Sequence, residues 1–298
     1  MMNDFFNEAI WEKAWKDDLF TAVNKMKNAG IDATHAFDHN ARSFNEQVFN
    51  EEGRQRTKRI INWLEGQGVK FKDTSILDIG AASGGFSVPF AERGASVTSL
   101  EPCLPLVELL EENIVGLTNG KVEVVSEAFE DIDIQAMGWS KAFDFVFVSM
   151  CPTIADWESV EKVLSCAQQF CYISLSAGPR EHSLVNEVWP LVTDQPFKTE
   201  HLEMGYLLHL LYLKGYSYES LITKEMKTTE VSRKMALQDV MNWLGIHGLP
   251  ADDRNREIVA AYLEKTYPSD KVVIQQGGRF GKVLIRLQDQ NMYTRESL

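Results

Sequence analysis

The sequence predicts an α/β protein built on a doubly wound, mostly parallel, seven-stranded sheet. Three observations carry the expectation. Residues 75–79 are a short apolar run with one carboxylate, Asp78, the pattern of a buried parallel strand. Residues 80–85 form a small-residue turn, and residues 86–94 read as a helix ending at a glycine. Residues 95–100 read as a second strand, with Glu101 at its C-terminal end. Strand, glycine turn, helix, strand and acid make the first half of a nucleotide-binding α/β fold.

The turn places backbone N–H groups at the open N-terminus of a helix, and Gly80 and Gly84 allow positive φ and close approach of a ligand. Glu101 follows Asp78 by 23 positions, near the spacing of a carboxylate that grips ribose hydroxyls. Two ligand classes fit this outline, dinucleotides such as NAD and S-adenosylmethionine. Read as a dinucleotide fingerprint, the turn is Gly80-x-Ala82-x-x-Gly85, and Ala82 puts a methyl group where a pyrophosphate must meet bare backbone. S-adenosylmethionine carries no phosphate, and the turn favours it.

The stretch Asp78-Ile79-Gly80-Ala81-Ala82-Ser83-Gly84 resembles motif I of class I S-adenosylmethionine-dependent methyltransferases, (D/E)-x-G-x-G-x-G, with Ala82 in place of the middle glycine. Phe37-Asp38-His39-Asn40-Ala41-Arg42-Ser43-Phe44-Asn45 loosely resembles the W-x-x-R-A-x-x-(F/Y)-(N/D) stretch that packs across the cofactor mouth of many small-molecule members. The resemblance covers roughly residues 35–180 well and the remainder in outline. It implies a Rossmann-like methyltransferase core at 67–298 and N-terminal helices at 1–66 that cover the cofactor mouth.

The remaining elements follow in order. Residues 4–28 carry Phe5, Phe6, Ile10, Trp11, Trp15, Leu19, Phe20, Val23 and Met26 near helical spacing, so one helix is expected there, ended by Ala29-Gly30. Its aromatic face suits packing on the main domain, a lid or a dimer contact. Residues 53–65 should be the helix before the first strand. Pro102 suits the start of a helix over 104–115. Residues 121–125 and 142–149 read as the third and fourth strands, 159–169 as a helix and 171–176 as the fifth strand. Residues 177–182 are expected to leave that strand as a loop, and 184–213 to be mostly helical. Residues 216–228 and 282–287 supply the last two strands. A helical insertion over about 232–270 would interrupt the antiparallel hairpin with which family members close their sheet. The last ten residues are polar and expected to fray.

Composition narrows the function. A net charge of −13 makes a nucleic-acid polyanion a poor partner. No apolar run reaches membrane-spanning length and no signal-peptide pattern opens the sequence, so no membrane partner is expected. Cys103, Cys151, Cys166 and Cys171 show no CxxC spacing, which predicts free thiols in a cytoplasmic protein and no metal site.

The resemblance implies where S-adenosylmethionine would sit. Asp78 and the turn Gly80, Ala81, Ala82, Ser83 and Gly84 would hold its methionine portion. Glu101, followed by Pro102, would hold the ribose. Glu127, Ala128 and Phe129 would flank adenine, with Phe129 as a ring to stack on it. Ser149 and Met150 would line the methyl side, beyond the carboxyl end of the fourth strand. Cys151 suits an apolar wall better than a nucleophile. His39 and His182 are candidate bases and Arg180 a candidate carboxylate fork, each also readable as a surface residue. The expected function is methyl transfer to a small-molecule acceptor. The alternatives are a cofactor-binding non-enzyme of the same fold and, further off, an NAD-dependent oxidoreductase.

Overall fold

Four short parallel strands open the sheet. They are β1 (Ser75–Ile79), β2 (Ser96–Leu100), β3 (Lys121–Val125) and β4 (Phe143–Ser149). Three 16-residue strands complete it: β5 (Ala167–His182), β6 (Ser217–Ser232) and β7 (Lys271–Arg286). The computed structural model describes residues 4–28, 30–35, 37–197 and 203–288. The order across the sheet is β3-β2-β1-β4-β5-β7-β6. Strands β1 to β5 pair in parallel, and β7 runs antiparallel to both β5 and β6. The carboxyl ends of β1, β2, β3 and β4 therefore share one edge, where ligands bind in open α/β sheets.

Each face of the sheet carries its own core. Leu77, Ile79, Val146, Val148, Ile173 and Ile285 line one face. The helices α1 (Glu8–Asp17), α7 (Trp157–Cys166) and α9 (Glu203–Leu213) cover it through Trp15, Val160, Val163, Leu207 and Leu210. Ile76, Phe145, Phe147, Tyr172 and Leu284 line the other face, under α4 (Glu51–Gly66) and α5 (Ser87–Glu92). Alternate residues of β4 and β5 thus point to opposite cores, as strands covered on both sides require. The rings of Phe147 and Tyr172 stack at 4.6 Å across that pair.

The helical periodicity over 4–28 resolves into two helices, α1 and α2 (Ala22–Asn28). The break has a local cause. Asp18 Oδ1 accepts the N–H of Phe20, and Thr21 Oγ1 accepts the N–H of Asn24, so two side chains compete with helical backbone bonding between them. The expected stop at Ala29 lies outside the described residues. The stretch upstream of the core is a true helix, α3 (Ala41–Phe49), and Asn50 caps the following α4 by accepting the N–H of Gly53.

The right-hand side of the sheet departs most from expectation. The helix read over 159–169 stops at Cys166, and β5 begins at Ala167 and runs on through residues expected to form a loop. Strands β6 and β7 pair without interruption from Ser217↔Arg286 to Ser232↔Lys271. The insertion does lie between them, as α10 (Arg233–Ile246) and α11 (Asp253–Thr266), but it sits at the tip of a long hairpin and does not break it. With α8 (Ser183–Val192) these helices form a third core, including Leu184, Val188, Val240, Leu244, Val259 and Ile274. That core supplies the burial that lets the hairpin run past the main sheet. Part of the stretch read as helical, His201 and Leu202, and the polar last ten residues lie outside the described residues. Among the described residues no helix is long and apolar enough to cross a membrane.

Candidate cofactor and acceptor site

The turn after β1 is pinned to β2 before any side chain acts. The N–H groups of Gly80 and Ala81 both donate to the carbonyl of Leu100, at 2.9 and 3.0 Å. Gly80 (φ 71°) and Gly84 (φ 90°) occupy left-handed conformations, and neither has room for a side chain. A Cβ on Gly80 would lie 2.5 Å from Cys151 Sγ, and one on Gly84 2.5 Å from Leu110 Cδ1. Ala82 is also left-handed, at φ 49°, so the middle position of the motif keeps a glycine-like backbone while carrying a methyl group. Ser83 is fully buried, and its carbonyl accepts the Asn113 side-chain amide at 2.9 Å.

Asp78 lies beneath this turn and is nearly inaccessible. Ser87 donates to its Oδ2 at 2.6 Å, and Ser99 donates to Ser87 at 2.7 Å. Burial pushes the Asp78 carboxyl up to about 7; the Ser87 hydroxyl opposes that shift and the charge of Glu101 adds to it. Glu101, also buried, uses both oxygens: Oε2 accepts the N–H of Ala82 and Oε1 that of Cys103, each at 2.9 Å. Burial raises its pKa, and these two amides hold the rise in check. Pro102 is half-buried beside it, ahead of α6 (Leu104–Ile114). Each carboxylate oxygen keeps a further lone pair with which to accept a hydroxyl.

The turn after β3 arranges its residues differently from expectation. Glu127 is exposed and Ala128 half-buried, but the ring of Phe129 is buried in the core. Lys162 lies 5.0 Å from the centre of that ring and donates to the carbonyls of Phe129 and Glu130. The ring is therefore a packing element and is not available to stack on a base; any contact from this position comes from the backbone. At the end of β4, Ser149 Oγ lies 3.1 Å from Ser174 Oγ, and Met150 is exposed with a left-handed backbone (φ 54°). Burial pushes the Cys151 thiol up to about 11, so it remains a protonated wall residue packed on Gly80.

The N-terminal helices close the outer side of the turn. Asn113 on α6 donates to both Asn45 on α3 and Ser83, at 2.9 Å each. A Cβ on Gly85 would lie 2.5 Å from Val48 Cγ1, and Phe37, Phe44 and Ala82 join the buried group around Ala41 and Cys103. His39 and Arg42 are exposed at the start of α3. His182 cannot serve as a base. It is fully buried, its Nδ1 accepts the N–H of Val185 to cap α8, and its Nε2 lies 2.9 Å from Asp239. Sequence reasoning missed the Ser99–Ser87–Asp78 chain and Asn113. Ser99 stands directly opposite Asp78 in the β1–β2 register, a pairing that only the structure displays, because Ser96 and Thr98 make a serine in that strand unexceptional.

The strand order and the antiparallel β7 define a doubly wound, Rossmann-like sheet closed by the antiparallel pair β6–β7, with Asp78 and Glu101 at the carboxyl ends of β1 and β2. The structure is similar to that of magnesium protoporphyrin IX methyltransferase from Synechocystis PCC 6803 with bound S-adenosylhomocysteine, at 14% identity and a TM-score of 0.49, over 65% of this chain and 94% of that one. It is also similar to the YcgJ protein of Bacillus subtilis, at 11% identity and a TM-score of 0.48, over 79% and 100% of the two chains. A third similar structure is phosphoethanolamine N-methyltransferase 2 of Haemonchus contortus in complex with phosphomonomethylethanolamine and S-adenosylhomocysteine, at 13% identity and a TM-score of 0.47, over 90% and 60%. No protein-family model matches the chain, and no curated protein sequence matches it.

Proposed function

We propose that this chain is a class I S-adenosylmethionine-dependent methyltransferase acting on a small-molecule acceptor. The observation that carries the reading is the buried Glu101 carboxylate at the end of β2, held to the amide of Ala82 in a turn that leaves no room for side chains at Gly80 and Gly84. That cradle fits the cofactor. Asp78 and residues 80–84 would hold the methionine portion and Glu101 the ribose hydroxyls, while Ala128 and the backbone of 127–129 would border adenine. Ser149 and Met150 would border the transferring methyl. The Glu101 carboxylate at the end of β2, with Asp78 beneath the turn, favours a sulfonium or ammonium cation and opposes a pyrophosphate. Strand order also argues against a dinucleotide enzyme, whose sixth strand is parallel, because β7 here is antiparallel and lies between β5 and β6.

When bound, S-adenosylmethionine supplies an electrophilic methyl carbon: an acceptor lone pair forms the new bond as the carbon–sulfur bond breaks and its electron pair stays on sulfur. The chain's own task is alignment and exclusion of water. The turn and Glu101 fix one reactant, the end of β4 shapes the contact point, and α3 covers the mouth. No residue of the site is assigned as a base. Free thiols and an acidic surface suit a reducing, cytoplasmic setting.

The test is calorimetric titration with S-adenosylmethionine, S-adenosylhomocysteine and NAD, on the wild type and on Glu101→Ala. Binding of the two adenosyl ligands, weakened in the variant, supports the reading. Failure of folded wild type to bind either one rejects it, and binding of NAD alone replaces it with a dehydrogenase.

A further inference from the structure

Charge collects where the N-terminal segment meets the start of α9 and the extended end of β5. Lys25 on α2, Arg180 on β5, and the carboxylates of Asp18 and Glu203 interact there electrostatically. The carboxylates are held by neighbours. Glu203 Oε1 accepts the N–H of Ala22 at 2.6 Å, and Asp18 accepts the N–H of Phe20 and the hydroxyl of Tyr206. The cations are not. Lys25 Nζ is shielded from solvent and has no hydrogen-bond partner among the described residues. Trp15 Nε1, in the adjoining helix, is likewise buried and without a partner. A buried ammonium without a hydrogen bond is costly, the charges of Glu203 and Asp18 offset only part of that cost, and an anion bound at the site would supply the missing acceptor.

Arg180 is placed by an irregularity. Ser176 pairs with Phe280 and Arg180 with Gly278, so four residues of β5 advance while β7 advances two. Bulges of this kind re-aim a side chain at the edge of a site. Gly278 opposite lets the two strands approach closely at the bulge, since a Cβ there would lie 3.1 Å from the Pro179 carbonyl oxygen and 3.4 Å from Arg180 Cα. Arg180 is reachable by solvent, yet surrounding protein lowers its pKa and the Glu203 charge only partly offsets this. Among the described residues no carboxylate lies within ion-pairing distance of either Lys25 or Arg180.

The position in the sheet says which reactant the pair would meet. Glu101 and the glycine turn belong to β2 and β1, on one side of β4; Arg180 belongs to β5, on the other. The methyl-side residues Ser149 and Met150 lie between.

We propose that Lys25 and Arg180 form a subsite for an anionic group, a carboxylate or a phosphate, on the methyl acceptor. The proposal rests on the methyltransferase reading above. Arg180 offers a planar fork to two oxygens, and Lys25 a point charge from the covering helix. The acceptor's anion sets its orientation, so that the nucleophilic atom faces the end of β4.

The experiment titrates the whole protein, saturated with S-adenosylhomocysteine, with inorganic phosphate and with acetate as probes. Arg180→Gln and Lys25→Gln are measured alongside. The expected result is anion binding by the wild type that weakens about tenfold or more in each variant, with S-adenosylhomocysteine affinity unchanged. Absence of anion binding by wild type, or binding equal in all three proteins, overturns the proposal. Loss of S-adenosylhomocysteine affinity in the variants also overturns it, by assigning the pair to the cofactor. Should Lys25→Gln not fold, the solvent-reachable Arg180→Gln decides alone. The wild-type titration with S-adenosylhomocysteine separately reports on the methyltransferase reading.

Discussion

The Oε2 atom of Glu101 lies 2.9 Å from the backbone nitrogen of Ala82, so the acid that ends the second strand also holds the turn that ends the first. One side chain thereby couples the proposed ligand grip to the turn geometry. Glu101→Ala removes the acceptor for two amides, those of Ala82 and Cys103. The expected loss of stability is about 1–3 kcal/mol, measured by chemical denaturation. S-adenosylhomocysteine affinity is expected to fall at least about tenfold, or ~1.4 kcal/mol. A variant that binds as tightly as wild type removes Glu101 from the site.

Asp78 gives a pH signature. Burial holds its carboxyl at about 7 in the folded protein, well above the usual aspartate value of about 4. A raised carboxyl pKa means the folded state holds its proton longer than the unfolded chain. Stability from this group is present at low pH and is lost as pH rises from about 4 through about 7. The full effect is bounded at about 4 kcal/mol. Asp78→Asn keeps an oxygen for the Ser87 hydroxyl and removes the titration. Denaturation midpoints of wild type and variant, compared between pH 4 and pH 7, should diverge, with the variant gaining relative stability as pH rises. Parallel curves would show that Asp78 titrates normally.

What the sequence displayed followed burial. Strands β1 and β4 are short, apolar and buried, β2 and β3 are short runs that mix valine with polar residues, and the bounds of all four are readable to within a residue. The long arms were hidden. Gly277, Gly278 and Gly281 break the apolar pattern of β7, and residues of the β5–β7–β6 extension face solvent on one side, so period and hydrophobicity both weaken. Ala167, Gln168 and Gln169 look like a helix continuing, and only the pairing of Ala167 with Phe143 and the bond from the Leu287 N–H to the Gln169 carbonyl draw them into the strand. Gly178 and Pro179 announce a loop but build a bulge. In the site, the carboxylates and glycines were legible because backbone geometry demands them. Phe129 and His182 were misread because residue type says nothing about which way a side chain turns at a strand end.

Ala82 holds a left-handed backbone at φ 49°. For an alanine that conformation costs about 1–2 kcal/mol, while a glycine costs about 0.4–1 kcal/mol in unfolded-state entropy. Ala82→Gly is therefore expected to leave the melting temperature unchanged or raise it by a few degrees. The lost methyl contacts around Ala41 and Cys103 limit the gain. A clear drop in melting temperature would show that the methyl packing outweighs the backbone strain.

His182 should behave as a structural residue. It caps α8 through Val185 and bonds Asp239 from a fully buried position. His182→Ala leaves the Val185 N–H without its cap and opens a cavity beside Trp243, whose ring centre lies 5.0 Å away. A destabilisation of about 1–3 kcal/mol is expected, with S-adenosylhomocysteine affinity unchanged. Preserved stability together with weakened ligand binding would return His182 to the site.

Gly80 and Cys151 offer the sharpest test of the site's geometry. A Cβ on Gly80 would lie 2.5 Å from Cys151 Sγ and 3.0 Å from its Cβ, on a backbone at φ 71°. Gly80→Ala therefore meets two penalties, overpacking of about 1–3 kcal/mol and left-handed strain of about 1–2 kcal/mol. Cys151→Ala removes only the sulfur, and so can relieve only the first. In a double-mutant cycle the pair should be less unstable than the sum of the single variants, by about 1 kcal/mol or more. Additive effects would place the thiol elsewhere. Cys151→Ala alone should keep S-adenosylhomocysteine affinity, because a thiol whose pKa is pushed up to about 11 stays protonated and acts only as a wall. If methyl transfer is also preserved in that variant, the chemistry at the end of β4 depends on the shape of the wall and not on a sulfur nucleophile.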